Sequence, residues 1–169
     1  MYGLTNLGVI HTAFSLVAVF AGAYALIARR EIVMNSRTGR IYIWATVVTC
    51  LTGFGIFQHG GFGVPHVLGI LTLLVLGVAE AARRGVAGKA SIYVGTAAMT
   101  TSYFFHWIPG IVETTTRLPL SKPLVSSREA PELQMFAGVA FAIYLLGVSL
   151  QLWGIWRKGR VTMTAAARA

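Results

Sequence analysis

Five long apolar runs, separated by short polar segments, limit what this chain can fold into more than any other feature. A helix needs about 20 residues to cross a hydrocarbon core of about 30 Å, and each run is close to that length. The runs are residues 7–28, 41–58, 64–82, 91–109 and 133–156. They are continuous rather than alternating, which favours helices over a membrane barrel. The sequence therefore predicts an all-α integral membrane bundle of five transmembrane helices.

Composition supports a membrane protein and a single domain. The 169 residues are 56% hydrophobic and 11% charged, and the mean hydropathy is +0.70. Ordinary soluble domains contain about 25% charged residues. The first apolar run is too long for a cleaved signal and has no basic segment before it, so it is predicted to be retained as a helix. We expect one transmembrane domain over residues 1–160 and a cytoplasmic tail over residues 161–169.

The basic residues that give the net charge of +9 are concentrated on one predicted side of the membrane. In a soluble protein this charge would suggest nucleic acid, but here eleven of the 14 basic residues fall in segments that a five-helix chain places on one face. These are Arg29, Arg30, Arg37, Arg40, Arg83, Arg84, Lys89, Arg157, Lys158, Arg160 and Arg168. Loops rich in Lys and Arg stay in the cytoplasm. The pattern predicts an outer N-terminus, an inner C-terminus, the lipid bilayer as partner and no nucleic acid.

All four histidines fall on the predicted outer side. His11 lies near the outer start of the first helix, His59 and His66 flank the hairpin between the second and third helices, and His106 lies three residues before Pro109, where the fourth helix is predicted to end. Ionisable residues inside membranes are usually functional. We expect the rings of His11 and His106, which share a similar depth, to approach one another across the bundle.

Two kinds of cofactor site are compatible with this cluster. The first is a haem b held by His11 and His106, with glycines and aromatic residues lining the flat macrocycle. The second is a zinc, copper or iron site that uses His11, His59, His66 and His106, with Glu113 as a candidate ligand or general base. Alternatively, the histidines are interfacial polar residues that bind backbone groups or water.

Three functions from different classes follow from these alternatives. The first is a redox or electron-transfer role based on haem or a metal ion. The second is a metal-dependent membrane hydrolase, in which Glu113 is the candidate catalytic base. The third is a non-catalytic accessory or assembly subunit, either as a homo-oligomer or in a larger membrane complex. The chain contains no aspartate, phosphate-binding loop or other common catalytic signature, so whether it is an enzyme stays open.

Charge spacing predicts two ion pairs near helix ends. Glu80 precedes Arg84 by four residues at the inner end of the third helix, and Glu113 precedes Arg117 by four residues if the fourth helix continues past Pro109. Residues four apart are neighbours on a helix surface. The fourth run is the most polar of the five, so it is expected to face protein rather than lipid. The outer segment 110–132 is expected to be ordered because its prolines restrict the backbone.

The order of these features resembles that of bacterial predicted membrane proteins grouped as domain of unknown function 2306. The similarity spans roughly residues 8 to 120. It depends on His11, the Arg37-x-Gly39-Arg40-x-Tyr42 entry to the second helix, the glycine-rich hairpin with His66, and Arg83-Arg84. The resemblance implies a multi-pass protein of the bacterial cytoplasmic (inner) membrane. It assigns no activity.

Overall fold

The structure is a computed structural model that describes residues 5–57, 61–125, 127 and 130–166, with side chains as far as residue 159. Its long helices are α1 (Asn6–Arg29), α2 (Arg37–Gly53), α3 (Val64–Arg83), α4 (Ser91–Arg117) and α5 (Pro131–Ala166). A 3₁₀ turn, Gly88–Ala90, precedes α4. Within the described residues there is no strand, so the predicted all-α class is confirmed.

Three of the five helices are long and apolar enough to cross a membrane. These are α1, α3 and the Pro131–Gly159 part of α5. The same helices expose large apolar side chains, such as Phe20, Ile27 and Leu146, which suits contact with lipid. Helix α2 falls outside this set because it has only 17 residues. Helix α4 is long enough, but threonine, serine and tyrosine interrupt its apolar residues. A membrane protein is therefore supported, whereas five spans are not established by length and composition alone.

The predicted helix ends are accurate for α1 and α3 and less so for the others. Helix α2 ends at Gly53, five residues before the predicted end, where two closely spaced glycines disfavour a helix. The prediction that α4 ends at Pro109 is wrong, since α4 continues to Arg117 with the proline inside it. A proline within a helix removes one backbone donor, but neighbouring structure can support the helix. Helix α5 also continues, to Ala166, beyond the predicted limit.

The turn before α2 explains why glycine occupies position 39. The hydroxyl of Ser36 accepts a hydrogen bond from the Gly39 N–H at 3.0 Å and donates one to the Val33 carbonyl at 2.8 Å. This is an N-cap, which satisfies a backbone donor that the first turn leaves free. A Cβ on Gly39 would collide with the Val33 carbonyl. Within the Arg-x-Gly-Arg sequence, the glycine is therefore required for the chain to turn into α2.

Contacts between helices define two ends of the bundle. The start of α1 lies against the end of α2 through His11 and Thr49, and the end of α3 lies against the start of α4 through Ala82 and Gly95. The start of α3 contacts the end of α2. Successive helices are therefore antiparallel. We call the end with the α1 and α3 N-termini and the α4 C-terminus the histidine end, and the opposite one the basic end.

Small residues allow α1 to pack closely on its neighbours. Ala18, Gly22 and Ala25 are buried along one face of α1, at spacings that place them side by side. A Cβ on Gly22 would collide with the ring of Tyr103 and would come within 3.3 Å of the ring of Tyr42. In membranes, small residues at helix interfaces let backbones approach and increase van der Waals contact. The buried core thus centres on α1, α2 and α4.

Ion pairs at both ends agree with the sequence spacing. Glu80 binds Arg84 at 2.8 Å, as predicted, and also binds Arg83 at 2.6 Å. Glu113 binds Arg117 at 2.6 Å, as predicted for a continued fourth helix. After α4 the chain folds back, since the Val125 N–H donates to the Thr115 carbonyl at 3.0 Å.

Candidate functional site

Two hydrogen bonds join α2 to α4 in the interior of the bundle. The Tyr42 hydroxyl lies 2.7 Å from the Ser102 hydroxyl, and the Thr46 hydroxyl lies 3.0 Å from Nε2 of His106. From the first bond to the second, the bonded residue moves four positions towards the C-terminus in both helices. Helices α2 and α4 therefore run parallel and present these side chains on facing surfaces. Tyr42, Thr46 and Ser102 are fully enclosed, and His106 is 7% exposed.

The direction of the first bond follows from the available protons. The Ser102 hydroxyl donates to the Met99 carbonyl at 2.8 Å. A serine hydroxyl has one proton to donate. Tyr42 must therefore donate to Ser102, so both hydroxyls are satisfied without water. The same accounting shows why Ser102, a polar residue, can be completely buried in an apolar bundle.

His11 is held against the end of α2. Its Nδ1 lies 3.0 Å from the Thr49 carbonyl oxygen and 3.3 Å from the Thr52 hydroxyl. A carbonyl oxygen only accepts, so Nδ1 carries the proton and Nε2 of the neutral ring keeps its lone pair. Gly53 lies close to this ring, because a Cβ there would stand 3.2 Å from Cε1 of His11. The packing fixes the orientation of the imidazole.

The structure brings His11, His106 and Glu113 into one region at the histidine end. His106 binds Thr46 and His11 binds the Thr49 carbonyl, so both imidazoles lie against adjacent turns of α2. Glu113 lies about two turns beyond His106 on α4. Glu113 also pairs with Arg117. We call His11, His106, Thr46 and Glu113 the histidine-pair site. It combines two imidazoles, a buried hydroxyl and a carboxylate at the bundle surface.

His66 occupies a separate place. Its ring stacks between Phe57 and Phe62, with centroid separations of 5.0 and 5.1 Å. Nδ1 of His66 accepts a hydrogen bond from the Gly63 N–H at 3.2 Å, which closes the first turn of α3. The ring is 5% exposed. His66 thus caps a helix inside an aromatic cluster and makes none of the hydrogen bonds of the histidine pair.

The predicted metal site is not assembled by the described residues. Across residues 5–57, 61–125, 127 and 130–166, no group of three or more His, Cys, Asp or Glu side chains is placed to hold a metal ion. His59 lies outside the described residues, so its part in the predicted zinc, copper or iron site stays a prediction. The role of Glu113 as the catalytic base of a hydrolase also stays a prediction.

The surroundings of the pair do not fit a haem between His11 and His106. Nε2 of His106 is already bound to Thr46, and its ring packs edge-on against Tyr42 at 6.0 Å between centroids. On the other side, Gly53 lies against the ring of His11. A haem iron held by both rings would need a free ring nitrogen from each, whereas Nε2 of His106 is bound to Thr46 here; haem binding in another arrangement stays a prediction.

Comparison with protein-family models, curated proteins and solved structures gives no match. The resemblance drawn from His11, the Arg-x-Gly-Arg segment and the hairpin therefore stays a prediction.

Sequence analysis missed the hydroxyl partners of the histidines. Thr46, Tyr42 and Ser102 are separately unremarkable in apolar runs, although a signal was present. Polar residues occur four apart in both helices, at 42 and 46 in α2 and at 102 and 106 in α4. Such spacing places them on one helix face, which predicts a buried polar seam.

Proposed function

We propose that the protein crosses a bacterial cytoplasmic membrane five times, with its N-terminus outside and its C-terminus inside. The pairing of polar side chains between α2 and α4 supports this proposal, because these helices need not be apolar if their hydroxyls bind one another. The clustering of basic residues at one end supports the orientation. Helices α2 and α4 would then be spans whose polar faces meet in the bundle interior, beside the more apolar α1, α3 and α5.

We further propose that the histidine-pair site binds a proton and passes it between the outer surface and the bundle interior. The observation that carries the proposal is that buried His106 and half-buried His11 bind polar groups on adjacent turns of α2, the Thr46 hydroxyl and the Thr49 carbonyl. Buried ionisable residues in membranes mark proton relays and ion pathways. Histidine is the side chain whose proton affinity best suits exchange near neutral pH.

Each residue has a definable part in this relay. Glu113 is half-exposed at the surface and would pass a proton to His11, whose Nε2 offers a lone pair. His106 is the inner member of the pair, and its Nε2 forms a hydrogen bond with the Thr46 hydroxyl. Because both rings lie against adjacent turns of α2, a charge on one would repel a charge on the other, so the proposed relay carries one proton at a time.

Proton flux into liposomes tests the relay. Purified protein is reconstituted with an internal pH dye, and a potassium diffusion potential drives protons inwards. We expect the wild type to acidify the lumen faster than protein-free liposomes. We expect His11→Gln and His106→Gln to lose this flux. His66→Gln is the matched control, because it removes a buried imidazole elsewhere and should retain the flux.

Two results would overturn the proposal. One is flux at the protein-free rate for the wild type in correctly folded, inserted protein. The other is equal flux from the wild type and both pair variants. An oxidised and dithionite-reduced spectrum of the same preparation tests the predicted redox role. A Soret band that disappears in His11→Gln and His106→Gln would favour haem chemistry over the proton relay.

A further inference from the structure

A large lateral cleft lies away from the histidine-pair site, between α4 and α5, with the end of α1 closing one side. Its volume is about 1420 Å³. Helix α5 packs on α4 along the cleft, and near the basic end it also reaches the C-cap of α1. Gln151 makes that contact: its Nε2 donates to the Arg30 carbonyl at 2.7 Å, and its Oε1 accepts from Thr100 at 2.7 Å.

The walls of the cleft are about as long as a membrane span. The lining residues extend from Thr96 to Thr115 on α4 and from Phe136 to Lys158 on α5. At 1.5 Å per residue, each wall is about 30 Å long, which is the thickness of a hydrocarbon core. Most lining side chains are apolar or aromatic, and a Cβ on Gly147 or Gly154 would meet no atom within 4 Å. The cleft is therefore open to an apolar occupant along its length.

The basic end of the cleft has a different character. Arg29 and Arg30 from α1, and Arg157 and Lys158 from α5, contribute to its lining there, together with one acidic residue, Glu31. Arg30 has a left-handed backbone conformation, with φ of 61°, that ends α1 and turns the chain at the rim. The Arg157 guanidinium lies over the Trp153 ring, 4.9 Å from its centroid. Four cations against one anion give this rim an excess of positive charge.

We propose that this cleft binds an anionic phospholipid of the leaflet at the basic end, with the headgroup phosphate at the arginine rim and the acyl chains between α4 and α5. A basic cluster beside a membrane-facing groove complements an anionic headgroup, and Arg binds phosphate through paired N–H donors. A second copy of this chain fits less well, since related copies would bring two basic rims together. The proposal depends on the membrane insertion proposed above and is independent of the proton relay.

Native mass spectrometry of the detergent-purified protein tests this site. The protein is titrated with phosphatidylglycerol or phosphatidylcholine that carry identical acyl chains. We expect the wild type to retain phosphatidylglycerol preferentially. Arg29→Gln with Arg30→Gln should weaken phosphatidylglycerol binding by about fivefold for each charge removed, with little effect on phosphatidylcholine. Arg37→Gln with Arg40→Gln is the control, since it removes two exposed charges from the basic end that do not line the cleft.

A second variant tests the apolar part of the site. Gly147→Leu fills the cleft without changing charge, and it should lower the retention of both lipids. Circular dichroism in detergent confirms that each variant is folded. The proposal is overturned if the wild type shows no headgroup preference, or if the two arginine pairs lose binding equally. It is also overturned if the protein is a dimer without bound lipid and Gly147→Leu converts it to a monomer. Loss of lipid preference with normal proton flux would refute this site alone.

Discussion

Replacing Thr46 with valine removes one hydroxyl from the bundle interior with almost no change in volume. Thr46 is fully enclosed, and its hydroxyl binds Nε2 of His106 at 3.0 Å. The nitrogen that loses its partner belongs to a side chain that is only 7% exposed. A buried polar group left without a hydrogen bond costs about 1–3 kcal/mol in soluble proteins. Hydrogen bonds between membrane helices average about 0.6 kcal/mol, with values up to about 1.7 kcal/mol.

These two ranges set the expected magnitude. Because His106 is a strong hydrogen-bonding group at 7% exposure, we expect Thr46→Val to fall in their overlap and lower the free energy of unfolding by about 1–1.7 kcal/mol. The assay is reversible unfolding in mixed micelles with increasing denaturing detergent, followed by tryptophan fluorescence and circular dichroism.

Thr12→Val is the matched control for this prediction. The Thr12 hydroxyl donates to the Gly8 carbonyl of its own helix at 2.8 Å, and the residue is exposed on the bundle surface. The freed carbonyl keeps its bond from the helix backbone, so we expect a change near zero. Equal unfolding free energies for Thr46→Val and the wild type would show that the contact between α2 and α4 does not stabilise the bundle.

Three further predictions concern packing, charge and topology. Gly22→Val should lower the free energy of unfolding by about 1–3 kcal/mol, because its side chain would collide with a tyrosine ring of α4. Gly77→Val is the control, because a Cβ there meets nothing within 4 Å, and it should change the free energy little in the same unfolding assay. Glu113→Gln breaks a half-exposed ion pair with Arg117, so stability should change by less than about 1 kcal/mol while liposome proton flux falls. Unchanged flux would remove Glu113 from the relay. A reporter fused after Arg160 should be active only in the cytoplasm, and periplasmic activity would reverse the proposed orientation.

Much of the architecture was predictable because lipid restricts the possible folds. A continuous apolar run can satisfy its backbone groups in a membrane only as a helix. The predicted ends of α1 and α3 agree with those in the structure to within one residue. The ion pairs at Glu80 and Glu113 also followed from sequence, since a spacing of four fixes neighbours on a helix surface.

The end of α4 was not predictable from sequence in the same way. Pro109 is a common helix breaker, and local propensity favours ending the helix there. The structure continues α4 for two more turns, and the chain after it folds back so that Val125 is buried and bonded to Thr115. Tertiary contacts of this kind override the propensity of a single residue. They also place Glu113 about two turns beyond His106 on the same helix, where it pairs with Arg117.

The sequence by itself determined that the chain forms five helices, that basic residues gather at one end and that histidines gather at the other. Helical periodicity and the cost of unpaired backbone in lipid are enough for these conclusions. Only the tertiary structure decided which histidines meet. Hydrogen-bond partners and close packing separate His66, stacked between phenylalanines, from His11 and His106, which contact hydroxyls of α2. The cleft beside α5 is likewise a tertiary feature, because it depends on where two helices diverge rather than on the composition of either one.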